Sequence, residues 1–271
     1  MSEYVLSYDV LSPEILLLLL GTGFLIGIIN TLAGSGTAIS YAVFMFLGLP
    51  PACANGTVRI GVALQTSAVS YNFFRKGFLK VKKGLFISVP IILGSIAGAE
   101  IAVNINQTIF MYIIGIAVVF MLFIVIRNPE YWLKGQEKKR EAKPKFWQIL
   151  IYFLIGVYGG FIHIGTGVLL LSALVLISGH DLLYANSYKV FIVSLYTPFA
   201  LVVFILNDDV NYLIGLISAV GNIAGGLMAS NFAIKYGVKA LRWILITVLS
   251  VFGLYLLGVG EFVASLFSNL W

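Results

Sequence analysis

Charge is what this sequence has least of. Of its 271 residues only 10% are Asp, Glu, Lys or Arg, while 60% are hydrophobic and the mean hydropathy is +1.02. A soluble domain carries roughly 25% charged residues, because water must solvate its surface. With so few charges the outer surface of this chain must meet lipid rather than water. Cysteine is nearly absent too: the single Cys53 excludes an intramolecular disulfide. The chain has two histidines, and no His, Cys, Asp or Glu cluster stands at metal-ligand spacing. No nucleophile–base pair is visible either, so an intramembrane enzyme built on His163 is the weakest reading, and no cofactor is implied. Met1 to Val10 holds Glu3 and Asp9 but no Lys or Arg, unlike the basic start of a cleavable signal peptide.

What is present is a series of long apolar runs. About 20 helical residues cross a bilayer core. Runs of that length lie near 52–74, 84–103, 107–126, 183–206, 212–231 and 240–258. Two further stretches, 13–49 and 146–180, are too long for one crossing. Each is interrupted, by Ala33-Gly34-Ser35-Gly36 and by Gly165-Thr166-Gly167. The apolar pieces that follow, 37–48 and 168–178, are too short to span and read as re-entrant half-helices.

The positive charges give the orientation. Arg75, Lys76, Lys80, Lys82 and Lys83 crowd one loop, and Lys235, Lys239 and Arg242 another. Arg127, Lys134, Lys138, Lys139, Arg140, Lys143 and Lys145 fill a central solvated linker. Those are all of the chain's 17 Lys and Arg except Arg59 and Lys189. One arrangement of spans puts them on a single side, with Glu3, Asp9, Glu14, Asp208, Asp209 and Glu261 opposite. By the positive-inside rule the basic loops are cytoplasmic and both termini lie outside a plasma (inner) membrane. The pI near 9.3 therefore reports topology and not a nucleic-acid partner. The arrangement requires 13–49 and 146–180 each to return to the side they came from.

The two halves repeat. An offset of 131 aligns Gly34-Ser35-Gly36 with Gly165-Thr166-Gly167, Gly48 with Gly179, and Ala54-Asn55 with Ala185-Asn186. After a small slip, Gly94-Ser-Ile-Ala-Gly98 matches Gly221-Asn-Ile-Ala-Gly225. These last glycines read as small-xxx-small helix contacts without chemistry. The loop after the first full span is basic in one half and acidic, at Asp208-Asp209, in the other, so the halves face opposite ways. The expected fold is an all-α polytopic membrane protein of two inverted repeats, 1–126 and 146–271, joined by the basic linker 127–145. Each repeat is a broken, re-entrant helical hairpin plus three transmembrane helices, the architecture that builds a midplane site in secondary transporters.

Asn30-Thr31-Leu32-Ala33-Gly34-Ser35-Gly36, then Gly48-Leu49-Pro50-Pro51, Ala54-Asn55 and the second Gly-rich turn, resembles the TauE/SafE family of sulfite and organosulfonate exporters. The likeness covers nearly the whole chain. It implies outward movement of small sulfur-containing or related organic anions.

The residues themselves place the site at the interruptions. A helix N-terminus carries unsatisfied N–H groups and roughly half a positive charge. Two such ends begin near Thr37 and Val168, and they are expected to meet near the midplane and hold an anion between them. The binding set is Asn30, Gly34, Ser35, Gly36, Thr37, Asn55, Thr57, Arg59, His163, Gly165, Thr166, Gly167, Asn186 and Lys189. Arg59 and Lys189 are intramembrane cations, costing at least about 2.5 kcal/mol each, and so have a task unless they snorkel to the interface. Asn55, Thr57, Asn186 and Ser187 either add hydrogen bonds there or satisfy local backbone. Gln65, deep in the 52–74 crossing, is a weaker candidate for lining the path, Glu100 is interfacial, and His180 with Asp181 forms a helix cap. His163 permits proton coupling and the Asn, Ser and Thr oxygens permit sodium. The reading is a secondary transporter, with a passive anion channel as the alternative. ATP-driven transport has no P-loop in the chain. A homo-oligomer is compatible with the small-residue motifs.

Overall fold

Proline and glycine punctuate the chain, and the helices lie between them. The computed structural model describes residues 8–106, 109 and 146–256, with side chains as far as residue 237. Among the described residues there are eight helices and no strand. They are α1 (Pro13–Leu32), α2 (Thr37–Phe46), α3 (Pro51–Arg75), α4 (Val81–Asn104), α5 (Phe146–Phe161), α6 (Thr166–Leu176), α7 (Leu182–Leu206) and α8 (Tyr212–Leu256). The expected span at 107–126 and the linker 127–145 fall outside the described residues, but for residue 109.

Pro13 and Pro51 open α1 and α3 from the first turn, where a missing N–H costs nothing. Asp181 caps α7 by accepting from the Leu183 and Tyr184 N–H groups at 3.1 and 3.0 Å, as a cap and not a site. The half-helix α2 closes in a Schellman turn: Gly48, at φ +97°, lets the Leu49 N–H reach the Phe44 carbonyl at 3.1 Å. Gly237, at φ +69°, breaks the long run α8 in two. The expected spans at 212–231 and 240–258 are therefore two helices meeting at that residue.

Four helical stretches are long and apolar enough to cross a membrane: Pro13–Leu32, Val81–Asn104, Leu182–Leu206 and Tyr212–Gly237. Their outward faces carry Leu17, Leu93, Val202 and Val220, all more than half exposed, which suits lipid. Helix α3 has the length of a span but a different composition. Asn55, Thr57, Arg59, Gln65, Thr66 and Ser70 are all buried along it. Its environment is protein, since it packs against α7 and α8.

The packing pairs exchange between the halves. Helix α1 lies chiefly on α8, and α5 chiefly on α4. The Gly-x-x-x-Gly pairs form these seams. A Cβ at Gly94 or Gly98 would stand 2.2 or 1.9 Å from the carbonyls of Phe153 or Val157 in α5. One at Gly221 or Gly225 would stand 2.3 or 2.0 Å from those of Leu20 or Phe24 in α1. Such approach is available only without a side chain, and it gives close van der Waals and Cα–H···O contact.

Glycine position rather than glycine content thus sets tolerance. Gly225→Ala forces a methyl into the α1 backbone and is expected to destabilise by about 1–3 kcal/mol. Gly21→Ala, whose Cβ would meet nothing within 4 Å, should be neutral or slightly stabilising. Thermal unfolding of the two detergent-purified variants against wild type checks this, and equal midpoints would sink it.

Candidate functional site

Both interruptions are tight turns, and they touch. Gly34 has φ +82° and Gly165, at the N-cap of α6, has φ +67°. A Cβ on Gly34 would lie 2.6 Å from the Gly167 backbone, and one on Gly167 would lie 2.5 Å from the Gly34 Cα. Backbone therefore meets backbone where the two half-helices begin. Asn30 stays inside its own turn, its Oδ1 accepting from the Gly36 N–H at 3.1 Å. The Thr37 hydroxyl crosses between the turns and donates to the His163 carbonyl at 3.4 Å. Ser35 and Thr166 are buried in the same place.

The helices that stop there leave carbonyls with no intrahelical partner. Each set is taken up by a cation from the opposite half. Arg59, on α3, donates through Nη1 to the Gly159 carbonyl at 3.1 Å, and through Nη2 to the Gly160 carbonyl and to Asn55 Oδ1. Asn55 donates in turn to the Phe161 carbonyl at 2.7 Å. Lys189, on α7, donates to the carbonyls of Asn30 and Thr31 at 3.1 and 2.9 Å. A positive charge at a helix C-terminus is favourable, most of all where the surroundings are dry. The side chains of Arg59 and Lys189 are 0% and 2% exposed. Snorkelling to the interface is thereby excluded for both.

Three tyrosines that the sequence reading passed over complete the second turn. Tyr196 on α7 pairs with His163 Nδ1 at 3.0 Å, and the Tyr158 hydroxyl on α5 donates to the Ile164 carbonyl at 2.7 Å. Tyr41 on α2 lies within electrostatic range of Arg59 and Tyr158. His163 itself sits at φ +53°, a backbone strain that its bonds to Thr37 and Tyr196 hold in place. Tyr196 was legible to a degree, being two helical turns beyond Lys189 and on the same face.

Of the predicted set, the structure brings together the residues of both turns, Asn55, Arg59 and Lys189. Thr57 stands apart, its hydroxyl accepting from the Asn211 N–H at 2.8 Å, and Ser187 likewise donates to the Phe78 carbonyl at 2.7 Å. Gln65 donates to the Gly27 carbonyl and to the Thr31 hydroxyl. Asn186 is fully buried, one turn before Lys189, and neither its Nδ2 nor its Oδ1 has a hydrogen-bond partner. The side chain of Glu100 is exposed. No group of three or more His, Cys, Asp or Glu able to hold a metal occurs among the described residues.

The chain matches the sulfite exporter TauE/SafE family over residues 19–256. It belongs to that family. Relatives named probable membrane transporter protein agree along nearly their whole length. The one from Haemophilus influenzae is 26% identical over 231 residues, covering 84% of this chain and 89% of the relative. The YfcA protein of Escherichia coli K12 is 22% identical over 251 residues, 93% of each chain. One from a Sinorhizobium species, ORF9, is 22% identical over 238 residues, 88% of this chain and 90% of the relative. No solved structure matches at a significant level. This TauE/SafE protein is therefore a membrane transporter, integral to the bilayer through its apolar helices.

The two related asparagines of the transporter make opposite demands. Asn55→Leu strips a buried carbonyl and Arg59 of a partner and is expected to cost about 1–3 kcal/mol. Asn186→Leu removes an amide with no partner and should leave the melting temperature unchanged or raise it. Melting curves of the two variants in detergent, without added solute, test the contrast, and a large loss in Asn186→Leu would show an unseen structural bond.

Proposed function

We propose that the protein is a secondary transporter, working as an exporter, for a small sulfur-containing or organic anion such as sulfite or a sulfonate. The observation that carries this is one of charge. Arg59 and Lys189 are buried, and among the described residues no Asp or Glu is buried with them. Carbonyl dipoles offset part of that charge, but the protein supplies no anion. An anionic solute at the helix breaks would meet two uncompensated cations and the N-termini of two half-helices. The name of the family supports a sulfur oxyanion as the first candidate.

The same reading takes the transporter as two inverted repeats, 1–126 and 146–271, about the linker 127–145. Support comes from the exchanged pairing of α1 with α8 and α4 with α5, and from the reciprocal capping by Arg59 and Lys189. The basic loops and linker then face the cytoplasm. Asn186, with its unengaged amide, belongs to the solute path.

Flux into proteoliposomes separates carrier from channel. Sulfite, methanesulfonate and taurine should be tested, with expected saturation and accelerated exchange when a substrate is loaded on the far side. Current rising linearly with concentration would replace the carrier by a passive channel. Absence of flux, and of thermal stabilisation, for every anion tried would remove the anion reading altogether.

A further inference from the structure

Around the Arg59 guanidinium almost every polar atom is committed. Both Nη atoms donate to protein oxygens, and the Phe204 ring covers one face at 4.7 Å from Cζ. The group is thus fixed in orientation, yet its Nε–H has no partner. Of the three tyrosines nearby, Tyr158 and Tyr196 have engaged hydroxyls, and Tyr41 does not. Tyr41 is only 4% exposed, so water does not readily replace the missing bond. A buried hydroxyl and a buried guanidinium N–H left unpaired each cost free energy that a ligand would recover.

We propose that the Tyr41 hydroxyl and the Arg59 Nε–H together receive the head of the transported anion, on the side of the first half-helix. The placement follows from α2. Its buried residues Thr37, Ser40, Tyr41 and Phe44 form one inward stripe, and Tyr41 stands one turn from the helix N-terminus. The head therefore meets a helix N-terminus, a phenol and a guanidinium edge. Two single donors from separate helices suit an oxygen-bearing head, sulfonate or sulfite, in which each donor takes its own oxygen.

The related position in the second half does not offer this. Tyr41 corresponds to Ser172, by the offset of 131, and the Ser172 hydroxyl bonds back to the Val168 carbonyl at 2.8 Å. Lys189 there spends its ammonium on two carbonyls. The second half keeps unpaired groups of its own, the Thr166 hydroxyl and the Asn186 amide, but no pairing of a phenol with a guanidinium edge. This assignment rests on the anion reading above and specifies where that anion binds.

Tyr41→Phe removes the hydroxyl and keeps the ring. Binding of methanesulfonate and sulfite to the detergent-purified transporter is measured by titration calorimetry, with chloride as comparison and Ser172→Ala as control. The expected result is a ligand-free melting temperature equal to wild type, with affinity for both oxyanions reduced about tenfold or more, as loss of a hydrogen bond to a charged group implies. Ser172→Ala should bind as wild type does, and chloride should bind weakly to all three. Unchanged oxyanion affinity in Tyr41→Phe, beside a wild type that binds, overturns the assignment and leaves the transporter reading intact. So does a ligand-free midpoint several degrees lower, which would mean that the protein itself holds the hydroxyl. A wild type that binds no anion removes the reading under which both stand.

Discussion

A helix that stops inside a buried core exposes carbonyls that need a partner, and that problem shapes this protein. Each broken helix ends against a cation carried by the other half: Arg59 on Gly159 and Gly160, Lys189 on Asn30 and Thr31. Each half keeps bonds of its own at the break, Asn30 with Gly36 and Tyr158 with Ile164, but the cation comes from the other half. The halves are therefore bound to each other by charge-assisted contacts at the two breaks. Charge-assisted bonds in a dry setting are worth more than the same bonds in water.

That solution dictates the packing around it. To bring the cations within reach, α3 and α7 must run through the centre, and α3 is polar because its neighbours are helices and not lipid. The outer helices then close on one another through Gly94, Gly98, Gly221 and Gly225, with backbones too near for any side chain. The turns close in the same way, Gly34 on Gly167. Glycine is thus used twice for close approach, once between helices and once between breaks.

The capping also decides what remains for a solute. Lys189 turns two of its three ammonium N–H groups to carbonyls, and the Nε–H of Arg59 is left unpaired. Among the described residues no buried carboxylate matches that positive charge, which is the ground of the proposed anion site. On the proposed reading, structural support and solute attraction are two uses of the same charges.

Much of this was legible in the residues. Apolar length and scarcity of charge gave the helical membrane class, and Gly34-Ser35-Gly36 with Gly165-Thr166-Gly167 gave the breaks, because backbone interruptions leave a local composition. Arg59 and Lys189 stood out for the same reason, as the two basic residues that no loop accounted for. What those cations touch was not legible. Their partners are backbone carbonyls about 100 and 159 residues away, and a carbonyl has no residue type to betray it. The tyrosines escaped for a related cause: Tyr41, Tyr158 and Tyr196 sit on three helices, and only tertiary packing sets them around one turn. Nor does any local pattern separate Asn55, bonded on both sides, from Asn186, bonded on neither. Sequence by itself determined what lipid and backbone require of each segment, because those demands are local. Which polar groups are satisfied, and which are left over, was decided by the tertiary structure, because satisfaction belongs to pairs brought together from both halves of the chain.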